Sequence, residues 1–260
     1  MNRVGGWIGA VLLGLSLLMM PVAQAEGSKV DVEQLTKQAE QGDIRSQFLL
    51  GVGYELGLSG FPQDDKKAFY WYQKAADLGD DEAQYLLGEM YRTGRGVTLN
   101  NKQAALWYKK SASQGHARSQ YAMGVVYSTG LGVPKNTKQA IEWYRKAAQQ
   151  GVGSAQFNLG IIYDQGKGTP QDYKQAFYWF LKAAEQGVAD AQHNVGSMYA
   201  LGQGTPQNHV KSYTWYSVAA ANGYEQSSQA RDNAAQRLTP EQLAKGQELA
   251  ASYFEKYQPK

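Results

Sequence analysis

Ala83-Gln84-Tyr85-Leu86-Leu87-Gly88-Glu89-Met90-Tyr91-Arg92-Thr93-Gly94-Arg95-Gly96-Val97, followed by Lys102-Gln103-Ala104-Ala105-Leu106-Trp107-Tyr108-Lys109-Lys110-Ser111-Ala112-Ser113-Gln114-Gly115, decides how this chain folds. Ala83, Leu87 and Met90 stand at i, i+4 and i+7, an apolar stripe on a helix (helix A) from about Ala83 to Thr93. Gly94-Arg95-Gly96 stops that helix, because glycine accepts the left-handed conformation that closes it. Asn100 opens a second helix (helix B) by offering its side chain to an orphan amide of the first turn. This helix runs through Ala104, Trp107, Tyr108 and Ala112 to Gly115.

The hairpin recurs along the chain. Trp71, Trp107, Trp143, Trp179 and Trp215 are each 36 residues apart, as are Gly79, Gly115, Gly151, Gly187 and Gly223. A position that is always Asp or Asn keeps the same register: Asp64, Asn100, Asn136, Asp172, Asn208. Gly88, Gly124, Gly160 and Gly196 repeat with Tyr91, Tyr127, Tyr163 and Tyr199, while Gly51 and Tyr54 come one residue early. The first repeat therefore carries one extra loop residue, within Gly57-Leu58-Ser59-Gly60. Small residues such as Gly88 and Ala112 suit helices packed at short interaxial distance, and the large Trp and Tyr side chains are expected to fill the volume between neighbouring hairpins.

A single hairpin cannot bury its apolar face, so stacking is obligatory. The expected fold is all-α: a right-handed α/α superhelical solenoid of about five 36-residue helix-turn-helix repeats with N- and C-terminal caps. The organisation read from the sequence is a signal peptide over 1–25, a half-repeat cap over 26–45, five repeats over 46–226 and capping helices over 227–260. Val30 to Gln41 reads as a lone helix B closed by Gly42. Thr239-Pro240-Glu241-Gln242 reads as a capping-box start to a last helix, with Leu243, Gln247, Ala250 and Phe254 on one side.

The motif Ala-Gln-Tyr-x-Leu-Gly-x-x-Tyr-x-x-Gly-x-Gly-Val, then Lys-x-Ala-x-x-Trp-Tyr-x-Lys-Ala-Ala-x-x-Gly, resembles the Sel-one-like repeat, a relative of the tetratricopeptide repeat, over about Gly42 to Glu225. The resemblance implies a concave groove used as an adaptor or ligand-binding scaffold. It also implies partners among host proteins, envelope assembly machines or secreted toxins, the last as immunity partners. Some cysteine-rich members are penicillin-binding or β-lactamase-like, but their paired cysteines are absent here.

Arg3 supplies a basic n-region, Trp7 to Met20 an apolar h-region and Ala23-Gln24-Ala25 a small-residue cleavage site. The mature chain is expected to begin at Glu26 and to be periplasmic or secreted, without stable membrane insertion. An uncleaved anchor is the competing reading, since the apolar stretch through Ala23 nearly spans a bilayer; Pro21 and the Ala-x-Ala ending favour cleavage. The chain has 26 basic and 23 acidic residues and no cysteine. Losing Arg3 leaves 25 against 23, or +2, too near neutral for a nucleic-acid partner. Without thiols there is no disulfide staple and no thiolate metal site.

Little in the sequence signals chemistry. His116, His193 and His209 sit in different repeats, and none belongs to a paired metal-ligand motif. No Ser-x-x-Lys or Gly-x-Ser-x-Gly occurs. The Gly-x-Gly pairs at Gly94, Gly130, Gly166 and Gly202 follow helices, whereas a phosphate-cradling loop follows a strand. The recurring lysines, among them Lys74, Lys110, Lys146 and Lys182, read as solvated helix-B faces interleaved with acids. No cofactor, metal or catalytic residue is expected.

A binding face is better signalled. At 100° per residue, Tyr85, Glu89 and Arg92 lie opposite the Ala83-Leu87-Met90 stripe. The matching triplets are Phe48, Val52 and Glu55; Tyr121, Val125 and Ser128; Phe157, Ile161 and Asp164; and His193, Ser197 and Ala200. In tetratricopeptide-like hairpins this face lines the concave groove. The ladder Phe48, Tyr85, Tyr121, Phe157, His193 suits a peptide or protein ligand; the alternative is that the rings pack between adjacent repeats. Glu89, Arg92, Val125, Ser128, Ile161 and Asp164 also differ between otherwise matching repeats. The expectation is a protein-binding scaffold without turnover. An immunity protein that neutralises a secreted toxin is the more specific alternative, and a penicillin-interacting or β-lactamase-like enzyme the remote one.

Overall fold

The computed structural model describes residues 31–58 and 60–258; the leader expected over 1–25 lies outside them. All regular elements among the described residues are α-helices, thirteen in number. α1 (Val32–Glu40) stands alone. Five hairpins follow: α2 (Ile44–Leu56) with α3 (Asp65–Asp77), α4 (Asp81–Thr93) with α5 (Asn101–Ser113), α6 (Ala117–Thr129) with α7 (Thr137–Gln149), α8 (Gly153–Gln165) with α9 (Tyr173–Ala184), and α10 (Ala189–Leu201) with α11 (His209–Ala221). α12 (Gln226–Ala235) and α13 (Pro240–Lys256) complete the chain. These helices fall into two compact units, Met1–Leu78 with Arg95–Val97, and Gly79–Gly94 with Thr98–Lys260.

The punctuation follows the sequence. Asp64, Asn100, Asn136, Asp172 and Asn208 are the N-caps of the five B helices, and each side chain accepts from first-turn amides. Helix A of the second repeat starts at Asp81 rather than Ala83, because Asp80 caps it by accepting from the Ala83 amide at 2.7 Å.

Tyr and Trp both build the interior. A Cβ on Gly88 would sit 2.5 Å from the Tyr108 ring, so the helix-B aromatic lies directly on the helix-A glycine of its own hairpin. Gly51 with Tyr72, Gly124 with Tyr144, Gly160 with Phe180 and Gly196 with Tyr216 repeat the contact. Tryptophans also fill the space between hairpins: Trp143 packs on the cluster of Tyr85, Ala105 and Met123, and Trp179 on that of Ile141 and Leu159. Tyrosines share this work as expected: Tyr108 is buried with Met123 and Val126 of the next hairpin, and Tyr144 with Leu159 and Ile162. Lysines cover the outer Trp faces, with Lys110 Nζ 3.7 Å from the Trp107 ring centroid and Lys146 Nζ 4.3 Å from that of Trp143.

A buried amide ladder joins the hairpins. Gln120, Gln156 and Gln192 each donate from Nε2 to the carbonyl eight residues back, at the end of the preceding helix B. Their Oε1 atoms accept from Gln150, Gln186 and Asn222, at 2.7–2.9 Å, at the end of their own helix B. In the first unit Gln47 donates to the Ala39 carbonyl at 2.9 Å, but its Oε1 is buried without a partner. The residue that should supply the donor there is Leu78, where the other repeats carry Gln or Asn. Leu78 is 52 % exposed, so it forfeits little burial if replaced. Leu78→Gln is therefore expected to stabilise the protein by about 1–2 kcal/mol, the cost of an unsatisfied buried acceptor. A thermal melt of the variant against wild type checks it; an unchanged or lower melting temperature would contradict the assignment.

At the C-terminus, Thr239 and Gln242 form the expected capping box. The docking face of α13 differs from expectation. Gly246 is buried against Tyr213, and Tyr253 and Tyr257 lie on Trp215 with centroids 5.1 and 5.6 Å away. Leu243 joins the cluster of Tyr213 and Tyr216 and Ala250 and Phe254 are half-buried, whereas Gln247 is exposed and Gly246, Tyr253 and Tyr257 make the close contacts. The physical reason is close helix approach at Gly246, whose carbonyl also accepts from Thr214 Oγ1 at 3.3 Å.

Candidate functional site

Each ladder ring leans on the helix-B aromatic of its own hairpin. Phe48 pairs with Tyr72 at 5.8 Å, Tyr85 with Tyr108 at 6.0 Å, Tyr121 with Tyr144 at 5.9 Å, Phe157 with Phe180 at 5.8 Å and His193 with Tyr216 at 5.1 Å. Tyr85 is 4 % exposed and belongs to the core; the other four are half-buried. In the second unit Tyr121 and Val125 pack against the apolar cluster centred on Leu159, and Phe157 and Ile161 against that centred on Val195. These half-buried side chains on α6 and α8 form the most apolar part of the helix-A face. Ser197 and Ala200 on α10 continue it with small residues.

The charged residues of this face are Glu55, Glu89 and Arg92 on the earlier repeats and Asp164 on α8. In the second unit Glu89 accepts from the Tyr108 hydroxyl and from Arg92, whose Nε lies at 3.1 Å. Burial, and then the Glu89 charge, push the Tyr108 hydroxyl far above the ordinary phenol value. In the first unit Glu55 accepts from Tyr72 Oη at 2.6 Å and pairs with Arg95. Val52 is buried beside it, and Phe48 lies on the Tyr72 ring.

A second cluster escaped the sequence reading. Glu82 Oε2 lies 3.0 Å from His116 Nε2, and its Oε1 is 3.3 Å from Arg118. Burial would raise the Glu82 carboxyl, but the His116 hydrogen bond and the Arg118 charge outweigh it and hold it below the ordinary range. The signal was present: Glu82 and Arg118 occupy the same repeat position with opposite charge. The cluster also covers Tyr85, whose ring is 5.2 Å from that of His116, which explains why this rung alone is sealed.

His193 closes the ladder as a structural anchor. Its Nδ1 is 2.9 Å from Ser227 Oγ on α12, and its ring lies 4.8 Å from Tyr224. Burial lowers its pKa below the ordinary 6.5, with Asp190 offsetting part. The unfolded chain then takes up the proton more readily than the folded one. Stability is full above about pH 6.5 and drains as pH falls through the depressed folded value. Melting temperature is expected to fall over that window in wild type and to fall less in His193→Phe, which keeps the ring and cannot titrate. Equal acid slopes in the two proteins would remove His193 from the account.

Among the described residues no group of three His, Asp or Glu side chains is placed to hold a metal ion, and no helix is long and apolar enough to cross a membrane.

Stacked helical hairpins with an amide-linked interior define a helical-repeat protein, a class that serves as protein–protein interaction scaffold. Within that class the chain belongs to the Sel1 repeat family, whose profile matches residues 44–80, 81–116, 117–152, 153–188 and 189–224. The first match is one residue longer than the others, as the extra loop residue requires. A Sel1 repeat protein of Oxalobacter formigenes is 37% identical with a TM-score of 0.69, covering 76% of this chain and 57% of that one. A protective antigen of uropathogenic Escherichia coli with an SLR fold is 28% identical at a TM-score of 0.50, covering 88% and 64%. The ERAD-associated E3 ubiquitin-protein ligase component HRD3A of Arabidopsis thaliana is 38% identical over 66 residues, 25% of this chain and 10% of that protein. The chain thus matches about a tenth of that relative and little more than half of the Oxalobacter protein.

Proposed function

We propose that this chain is an exported binding scaffold that holds a segment of another protein along the helix-A face of α6, α8 and α10, and that it performs no chemistry of its own. The carrying observation is that Tyr121, Val125, Phe157 and Ile161 remain half-buried on this face while Ser128 and Asp164 beside them differ from their counterparts in other repeats. Apolar side chains flanked by variable polar ones are what a peptide-sized ligand engages. Membership of a family of interaction scaffolds supports the reading, and the leader pattern ending at Ala25 supports the periplasm as its place. Protein sequencing of the chain from a periplasmic fraction should start at Glu26.

The test of binding compares wild type with Val125→Ser/Ile161→Ser and with Leu106→Ser/Tyr178→Ser, the last pair lying exposed on B helices. Each protein is immobilised and challenged with envelope extract. A partner held by wild type and the second pair, but lost by the first, supports the face; equal retention by all three would overturn it.

A further inference from the structure

Comparison of the five repeats isolates the partner of the helix-B aromatic, which comes from one of two neighbouring positions on that face: Glu55 and Ser128 share one, Glu89 and Ser197 the other. In every repeat whose helix-B aromatic is tyrosine, a polar side chain takes its hydroxyl. Glu55 does so for Tyr72 and Glu89 for Tyr108. Ser128 lies 3.2 Å from Tyr144 Oη, with Asn158 of the next repeat also bonded to it, and Ser197 bonds Tyr216. The fourth repeat has Phe180 instead, seated on Gly160 as the tyrosines are on their glycines.

Its surroundings have become apolar only in part, with Ile161 standing where Glu89 and Ser197 stand. Asp164 stands where Ser128 stands in the third repeat, and Asn194 stands where Asn158 does. Both are half-buried. Among the described residues, the one side-chain bond reaching Asp164 goes to its backbone carbonyl, from Gln171 at 2.6 Å, and its carboxylate has neither hydrogen bond nor ion pair. Burial alone raises its pKa, with no compensating donor. A half-buried carboxylate without a donor costs folding energy, and the scaffold does not require it, since Ala200 fills the same position one repeat later.

We propose that Asp164, left without a phenol by Phe180, is a subsite for the lysine or arginine side chain of a polypeptide bound on this face, with Ile161 and Phe157 taking an apolar neighbour of that residue. This deepens the scaffold reading and rests on it. The charge fits one sign of partner only. A donor cation supplies the bond that the hydroxyl supplies elsewhere, whereas an acidic side chain there would face Asp164 directly.

Phe180→Tyr is the discriminating variant, because it restores the internal donor while leaving charge and ring packing in place. The probe is an array of short extended peptides with Lys, Arg, Gln or Glu at the centre, flanked by Val, Leu or Phe. Wild type is expected to retain Lys- and Arg-centred peptides about tenfold better than Gln- or Glu-centred ones. That preference should vanish in Asp164→Asn and in Phe180→Tyr, the latter melting no lower than wild type, and persist in Glu142→Gln, an exposed helix-B control. Retention without preference for a cation, still dependent on Val125 and Ile161, would overturn the subsite and leave the scaffold face standing. Retention of no peptide would overturn both. Unchanged preference in Phe180→Tyr would overturn the role given to the missing hydroxyl.

Discussion

Gly132→Ala is expected to destabilise the protein by roughly 2–5 kcal/mol, while Gly151→Ala should cost about 1 kcal/mol. Both residues are left-handed, with φ of +81° and +88°, so both substitutions pay a similar backbone penalty. They differ in what a methyl group would meet. Around Gly151 there is nothing within 4 Å. At Gly132 the added carbon would fall inside the van der Waals contact of the Asn101 carbonyl oxygen and carbon, which belong to the first turn of α5. Backbone cannot swing aside as a side chain can, so the loop of the third repeat would have to lift off the second. Gly204 meets the Tyr173 carbonyl in the same way and should behave alike. Urea titration followed by circular dichroism gives the comparison. Repeat arrays can lose single-transition behaviour, so the midpoint is the quantity to compare. Similar midpoints for Gly132→Ala and Gly151→Ala would show that the close approach is not tight.

The second large effect is at the C-terminus. Tyr253→Ala/Tyr257→Ala should lower stability by about 3 kcal/mol or more, the range for removing packed aromatic side chains. Trp215 is 3 % exposed because these two rings cover it, one at 20° to its plane. Trp107 and Trp143 have lysines at this place, whereas the last repeat carries Val218, itself buried. The last helix B thus presents an apolar outer face that α13 must cover. Removing the rings should move tryptophan emission to longer wavelength and produce concentration-dependent association in sedimentation. Unshifted emission with an unchanged melt would mean that α13 does not shield Trp215.

How much of this could be read beforehand follows from repetition. The caps at Asp64, Asn100, Asn136, Asp172 and Asn208 and the glycines under the helix-B aromatics are written once per repeat, so five instances of one physical need stand out from background. The exposure of a given rung is not repeated. Tyr85 is sealed and Tyr121 is not because His116 and Arg118 come from the following hairpin, and their reach depends on side-chain geometry that no spacing encodes. The α13 face was misread for a related reason. Gln247 and Gly246 both keep helical spacing with Leu243, and only the shape of the surface at Tyr213 and Trp215 turns the face toward Gly246, Tyr253 and Tyr257. The gap at Gln47 was legible in principle, as a Leu at 78 where Gln114, Gln150, Gln186 and Asn222 share a register.

That amide register also bears on how such a chain can change length. Gln156 reaches the Ala148 carbonyl eight residues back and receives Gln186 thirty residues ahead. Excision of residues 117–152 would bring Ala112 to the place of Ala148 and leave the second bond untouched; duplication of the same block would copy both. Gene segments of 36 codons can therefore be lost or gained with their internal wiring complete, so the length of the helix-A face is free to vary by whole repeats while the interface between neighbours stays the same.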